Sequence, residues 1–169
     1  MSIQTSKEIR SIVTSEGNIE LSIVHAEIPT PPENEVLIKV EAAPINPSDL
    51  GLLISFAADL ESLTITGSGD DSVASMKIHP GLMGAMKPRL DQSMQVGNEG
   101  GGVIIDAGEN AKHLIGKTVG VAGGAMYSQY RCVPAQGCLV MDDGTTSAEA
   151  SSSFVNPLTA LAFVETMKM

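Results

Sequence analysis

The stretch that decides the fold runs from residue 95 to residue 108 and reads QVGNEGGGVIIDAG. A polar pair, Asn98 and Glu99, stands between glycines and directly before residues 103–107, an apolar run typical of a buried strand. Polar side chains at such a place must find hydrogen-bond partners or face a cleft. For Glu99 we expect a structural hydrogen bond within the glycine-rich turn. For Asn98 we expect either a place in the lining of a pocket or a bracing role in the loop.

The composition favours one domain, or one domain and the start of another, with a core of aliphatic side chains. The chain has 169 residues, of which 43% are hydrophobic, but only three Phe and two Tyr against nine Met. Its 20 acidic and 10 basic residues give a net charge of −10. Because nucleic acids and anionic lipid surfaces bind proteins through clusters of Lys and Arg, neither is an expected partner.

The cysteines and the N-terminus point to a soluble cytoplasmic protein. Cys132 and Cys138 fit neither a disulfide framework nor a zinc knuckle, so we expect two half-buried thiols in a reducing compartment. The first ten residues, MSIQTSKEIR, contain no apolar leader, and no run reaches the length that spans a membrane. The three histidines have no metal-ligand spacing and are expected at the surface or at edges of the fold: His25, His79 and His113.

Most of the chain has the pattern of short strands. Residues 9–13 and 19–24 predict an opening hairpin, and residues 35–41 alternate as a strand with one solvated face. Residues 63–78 alternate on both sides of a Gly-Ser-Gly-Asp-Asp turn, which predicts a protruding hairpin. Further strands are predicted over residues 103–107, 118–122, 126–133 and 139–141.

Helices are predicted at four places. Asn46 is a good cap and Pro47 a good first residue for a short helix. Residues 80–87 predict one or two helical turns, and residues 146–150 begin a helix. A last helix is predicted over residues 157–169, capped by Asn156. The chain stops inside it, so we expect a fragment whose next domain is missing.

Three stretches of this sequence resemble the medium-chain dehydrogenase/reductase superfamily. They are residues 35–50 (EVLIKVEAAPINPSDL), residues 96–134 and residues 152–160 (SSFVNPLTA). The resemblance implies a mainly β fold with short helices, a GroES-like β-barrel in residues 1–145. Residues 146–169 would then form the linking helix region toward an absent Rossmann, nucleotide-binding domain.

The resemblance also implies that the catalytic metal site of the superfamily is missing. Zinc-dependent members hold the metal with a Cys, a His and a Cys, and the matching positions here carry Asn46, Asn98 and Val155. Amide side chains are poor zinc ligands and valine is none. No four-Cys lobe for a structural zinc is present either. We therefore expect no bound metal and a place in the zinc-less, quinone oxidoreductase-like branch.

The function implied by this branch is reduction of quinones or α,β-unsaturated carbonyl compounds by NADPH (or NADH). The sequence departs at one point from dedicated enoyl reductases of this branch, since residues 51–60 (GLLISFAADL) lack the Tyr that such enzymes carry there. This difference argues against a dedicated enoyl reductase. The alternatives are a non-catalytic GroES-like binding or assembly module and a zinc alcohol dehydrogenase with displaced ligands. The expected partners are a small-molecule substrate and further copies of the chain in a homo-oligomer.

The resemblance assigns Asn46 and Thr159 to the cofactor, near its nicotinamide. Each has a structural alternative, a helix N-cap for Asn46 and a bond to its own helix carbonyl for Thr159. Ser48 and Asn98 are weak catalytic candidates, and for Ser48 a hydrogen bond in the first helical turn is the alternative. The sequence has no G-x-G-x-x-G loop between a strand and a helix, the motif that binds the phosphates of a dinucleotide, since the glycines at 100–102 come before a strand and not after one. We therefore expect the fragment alone to be inactive.

Overall fold

The computed structural model describes residues 5–56 and 58–168. The strands are β1 (Thr5–Val13), β2 (Asn18–Glu27), β3 (Glu35–Ala42), β4 (Ala58–Thr66), β5 (Val73–Ile78), β6 (Met94–Gln95), β7 (Glu99–Ala107), β8 (Thr118–Ala122), β9 (Tyr130–Pro134) and β10 (Cys138–Val140). The helices are α1 (Pro47–Leu53), α2 (Met83–Met86), α3 (Ser147–Ser151) and α4 (Val155–Met167). Short 3-10 turns lie at Gly69–Asp71, Pro80–Leu82, Lys87–Arg89, Glu109–Leu114 and Ala135–Gly137. The prediction of a mainly β fold with short helices is confirmed.

The contacts divide the chain into two compact units. The first unit comprises residues 5–6, 27–44 and 97–168, and the second comprises residues 7–26 and 45–96. The predicted division of the chain after residue 145 stays a prediction.

The second unit is built on a five-stranded sheet in the order β4-β5-β2-β1-β6. The predicted hairpins β1–β2 and β4–β5 are both present, since each pair lies side by side in this sheet. Its core contains Val13, Ile19, Met76, Ile78 and Met86. Turns of 3-10 and α-helix follow β5, as expected for residues 80–87.

The outermost strand of this sheet, β4, bulges away from β5. Its pairing moves from Asp59 opposite Lys77 to Thr64 opposite Ser75, so the residues between them have no one-to-one partners on β5. The hydroxyl of Ser62 fills the gap by accepting from the Lys77 amide at 2.7 Å and donating to the Asp59 carbonyl at 2.6 Å. A side chain thus replaces a backbone acceptor in the ladder.

The first unit is built on a second five-stranded sheet in the order β10-β8-β7-β3-β9. The alternation in β3 puts Val36 and Ile38 in the core and leaves Lys39 exposed, although Leu37 is also buried. The remaining core side chains come mainly from β7, β8 and the loop after β8: Ile104, Val119, Val121 and Met126. Aliphatic residues and Met thus carry the packing, as the composition indicates.

Three of the predicted boundaries that the structure corrects lie in the first unit. The strand predicted from residue 126 begins at Tyr130, because residues 123–126 form a loop hydrogen-bonded to Gly97 and Asn98. Strand β7 begins four residues before residue 103. Helix α4 begins at Val155 with Phe154 as its N-cap, so Asn156 lies inside the helix instead of capping it.

Helix α4 is largely apolar and, after the half-buried Val155, exposed on all sides. The large apolar side chains in this exposed part are all exposed by about half or more: Leu158, Leu161, Phe163, Val164 and Met167. A helix that is hydrophobic all round is ordinarily covered by protein. In the described residues, no helix combines the length and the apolar character needed to cross a membrane.

Candidate functional site

Asn46 begins helix α1 in the second unit and is only 3% exposed. Its backbone amide donates to Asp49 Oδ2 at 2.8 Å, and the Asp49 amide donates to the Asn46 carbonyl at 2.9 Å. Asp49, with its charge in the first turn, is completely buried. The N-cap position expected for Asn46 is therefore confirmed, with Pro47 as first helical residue. Ser48 lies in the same turn and is exposed.

The other end of α1 is held by a guanidinium that the sequence does not single out. Arg89 Nη2 donates to the Leu52 carbonyl at 3.0 Å and to Ser11 Oγ at 3.1 Å, and Nη1 donates to the Gly51 carbonyl at 3.3 Å. Ser11 Oγ in turn donates to the Leu53 carbonyl at 3.1 Å. A cation at a helix C-terminus is favourable, although burial lowers the pKa of Arg89. This clamp fixes the helix that carries Asn46 and Ser48.

In the first unit, Asn98 occupies a tight turn held by its backbone. Its carbonyl accepts from the amides of Gly123 and Gly124 at 3.2 and 3.3 Å, and the Met126 amide donates to the Gly97 carbonyl at 3.1 Å. Gly97 has φ of 96°, and a Cβ there would lie 2.6 Å from the Tyr127 ring. The half-buried Asn98 therefore braces the loop through its carbonyl. Lining of a pocket by its side chain stays a prediction.

Glu99 is the central polar group of this unit and is 0% exposed. Its Oε2 accepts from the backbone amides of Phe154 and Val155 at 3.0 and 2.9 Å. The expected structural role of Glu99 is thus confirmed, but its expected place in the glycine-rich turn is wrong. These partners lie at the start of α4, which the chain path brings to β7, and nothing local in the sequence indicates them.

The glycine triplet at residues 100–102 is occupied by the protein's own backbone. A Cβ at Gly102 would lie 2.0 Å from the Lys39 carbonyl oxygen. A Cβ at Gly101 would lie 2.5 Å from the Ser147 carbonyl oxygen, in α3. The glycines thus allow β3 and α3 to approach β7 closely, and no room is left there for a phosphate group.

Val155 and Thr159 lie one turn apart on α4. Thr159 is exposed, and its hydroxyl donates to the Val155 carbonyl at 2.7 Å, which confirms the structural alternative for this side chain. The hydroxyl oxygen retains a lone pair that can accept a further hydrogen bond. Its assignment to a cofactor stays a prediction.

The metal-binding residue types are dispersed. Cys132 and Cys138 lie on β9 and β10, at opposite edges of one sheet, so they cannot form a disulfide with each other. Burial raises the pKa of both thiols to about 11, with a smaller contribution from Glu35 at Cys132. Residues 5–56 and 58–168 contain no cluster of three or more His, Cys, Asp or Glu side chains suited to a metal ion. The absence of bound zinc stays a prediction.

The structure therefore brings together one part of the predicted site. Asn98, Glu99, Val155 and Thr159 belong to one continuous arrangement in the first unit, with the Glu99 carboxylate at its centre. Asn46 and Ser48 belong to the second unit, at the N-terminus of α1. Both groups can supply neutral hydrogen-bond donors and acceptors, and neither supplies thiolate or imidazole.

Similarity to known proteins lies in the fold. No protein-family model matches the sequence, and the comparison with curated proteins finds no match. A candidate NADPH:quinone reductase from Mesorhizobium loti is 25% identical, with a TM-score of 0.62 over 99% of this chain and 46% of that one. The quinone oxidoreductase from Coxiella burnetii is 22% identical, with a TM-score of 0.62 over 96% and 45% of the two chains. A mycobacterial protein complexed with NADPH is 20% identical, with a TM-score of 0.61 over 94% and 39%.

This chain shares the fold of these three proteins. It spans less than half of the length of each of the three structures. The two sheets and the short helices fit part of a GroES-like domain, as the resemblance of the three sequence stretches implies.

Proposed function

We propose that this chain is the substrate-side domain of a zinc-independent, NAD(P)H-dependent oxidoreductase that reduces quinones or α,β-unsaturated carbonyl compounds. The observation that carries the proposal is the match of nearly the whole chain to quinone reductase structures. The residues Asn46, Asn98 and Val155 add support, since the resemblance to the superfamily places each of them where zinc-dependent members carry a metal ligand. An electron-poor acceptor needs no Lewis acid when hydrogen-bond donors stabilise the charge that develops on its oxygen.

The described residues fit one end of the proposed cofactor better than the other. The glycine triplet is filled by backbone from β3 and α3, so it cannot hold a diphosphate. At the nicotinamide end, the Thr159 hydroxyl oxygen can accept from the carboxamide. Asn46 is almost entirely covered, so little of its surface is open to a ligand.

The reaction assigned to the protein is a two-electron reduction. Thr159 would hold the carboxamide of a bound nicotinamide, which would supply a hydride for the quinone ring or the β-carbon of the enone, and a proton from solvent would complete the product. The roles proposed for this chain are to orient the acceptor and to donate hydrogen bonds to its oxygen. The amide of Asn46 is our first candidate donor, and that of Asn98 the second.

The test is NADPH oxidation with 1,4-benzoquinone, using the protein as its gene encodes it. Replacing Asn46 by Ala removes a positioning hydrogen bond of about 1–2 kcal/mol, so we expect turnover to fall roughly ten-fold. Asn98→Ala should cost less, and Ser48→Ala should change little because no metal-bound alkoxide needs a proton relay.

A control separates catalysis from helix capping. Asn46→Ser keeps an N-cap side chain but lacks the amide donor, so it should preserve stability and still lose turnover. If Ser48→Ala abolishes turnover while Asn46→Ala leaves turnover unchanged, the proton relay of the zinc enzymes survives in this protein. The roles that we assign to Asn46 and Ser48 would then be wrong. No NADPH oxidation with quinones or enones would favour a non-catalytic module.

A further inference from the structure

We propose that Glu99 is a positioning residue of this site, which fixes the start of helix α4 and thereby places Thr159 relative to Asn98. The inference rests on the proposed function, because that function assigns both Thr159 and Asn98 to the site. The inference adds Glu99 to the proposed site as a residue that itself contacts neither cofactor nor substrate.

Helix α4 has no local signal for where it starts. The first amides of a helix have no acceptor within it and are usually satisfied by the side chain of a capping residue. The N-cap position of α4 is Phe154, whose side chain cannot accept a hydrogen bond, and Asn156 lies too far along the helix to serve. The acceptor is instead Glu99 Oε2, 55 residues earlier than Phe154 in the sequence. A single oxygen atom thus accepts from both backbone amides at the start of the helix.

The carboxyl group of Glu99 suits this task. Its Oε2 accepts from two successive backbone amides at the start of α4, at 3.0 and 2.9 Å, and an oxygen with two lone pairs can accept both bonds. Because Glu99 is completely buried, little solvent competes for these bonds. The same burial keeps the carboxylate away from any substrate, so Glu99 is not a catalytic acid or base.

The position of Glu99 joins the two candidate residues. It directly follows Asn98, whose carbonyl is held by Gly123 and Gly124. On α4, Thr159 lies four residues after Val155, about 6 Å along the helix axis. Thr159 also donates to the Val155 carbonyl, so its side chain follows the first turn. A change in the length of residue 99 would therefore move Thr159 and leave the Asn98 turn in place.

The experiment compares Glu99→Gln and Glu99→Asp with the wild type. Gln keeps an acceptor oxygen at the same reach, whereas Asp is one methylene shorter, by about 1.5 Å. We expect Glu99→Asp to raise hydrogen exchange of the Phe154 and Val155 amides at least ten-fold, while strands β7 and β8 keep their protection. We expect Glu99→Gln to stay within three-fold of the wild type.

The functional readout is the KM for NADPH set against kcat. Glu99→Asp should raise KM for NADPH at least five-fold with a smaller change in kcat, and Glu99→Gln should restore most of the affinity. Glu149→Asp is the matched control, since Glu149 caps helix α3 through a local bond from Thr146 and Asp shortens that side chain by the same methylene. It should loosen α3 and leave this KM unchanged.

Two results would overturn the proposal. One is equal loss of protection across β7, β8 and α4 in Glu99→Asp, which would make Glu99 a general stabilising residue. The other is a loosened start of α4 with an unchanged KM. If the wild type shows no NADPH-dependent reduction, the proposed function fails together with the role in the site. The exchange measurement then still decides whether Glu99 sets the start of α4.

Discussion

Helix α3 lies so close to the sheet that adding one methyl group at Gly101 should lower the stability of the protein measurably. The Cβ of an alanine there would lie 2.5 Å from the Ser147 carbonyl oxygen and 2.7 Å from the Ser151 amide nitrogen. Ordinary contacts of this kind begin near 3.4 Å, so α3 must move by about 1 Å. The obstacle is helix backbone, which cannot rotate away as a flexible side chain would.

The cost follows from the same geometry. Overpacking of a well-packed interior costs about 1–3 kcal/mol. Gly101 has no positive φ, so alanine meets no backbone strain and even gains about 0.5–1 kcal/mol from lower entropy of the unfolded chain. We therefore expect Gly101→Ala to lower the free energy of unfolding by about 1–2 kcal/mol. For a chain of this size, that corresponds to about 2–8 °C in Tm.

The assay is urea and thermal unfolding followed by circular dichroism. Gly120 lies opposite Gly101 in the β7–β8 register, and a Cβ there would lie 2.5 Å from the Ala150 carbonyl oxygen. Since both methyl groups push the same helix, the double variant should cost less than the sum of the single variants. Gly137→Ala is the control, because no atom lies within 4 Å of its added Cβ. Equal stability of Gly101→Ala and Gly137→Ala would refute the reasoning.

Three further predictions concern the thiols, the metal content and helix α4. Because the pKa values of Cys132 and Cys138 are about 11, few thiolates exist near neutral pH, so alkylation by iodoacetamide should be slow at pH 8 and accelerate as the pH rises toward 11. Rapid labelling of both thiols of the folded protein at pH 7 would contradict this. Elemental analysis should find no stoichiometric zinc, and one tightly held zinc per chain would refute the zinc-independent assignment. The exposed apolar surface of α4 should drive self-association in sedimentation velocity, whereas a strictly monomeric species at high concentration would count against it.

The sequence by itself determined most of the strands of this protein and the cap of helix α1. Alternation in β3, the turn between β4 and β5, and the run in β8 depend on neighbours within a few residues, so their physical cause is visible in the sequence. The cap of α1 at Asn46 is equally local, since the backbone of Asn46 exchanges hydrogen bonds with Asp49, three residues later. The three stretches that resemble the dehydrogenase/reductase superfamily also led to the fold that the solved structures share.

Only the tertiary structure decided which polar groups meet. Glu99 accepts hydrogen bonds from the start of α4, and Arg89 donates hydrogen bonds to the end of α1. Both contacts join residues that are far apart in the sequence. The glycine triplet at residues 100–102 does not indicate in the sequence what packs against it, yet in the structure the backbones of α3 and β3 lie directly against it. The physical reason is that the spacing of apolar residues along a helix or strand shows which of its faces is buried. Which residues pack against that face depends on the path of the whole chain.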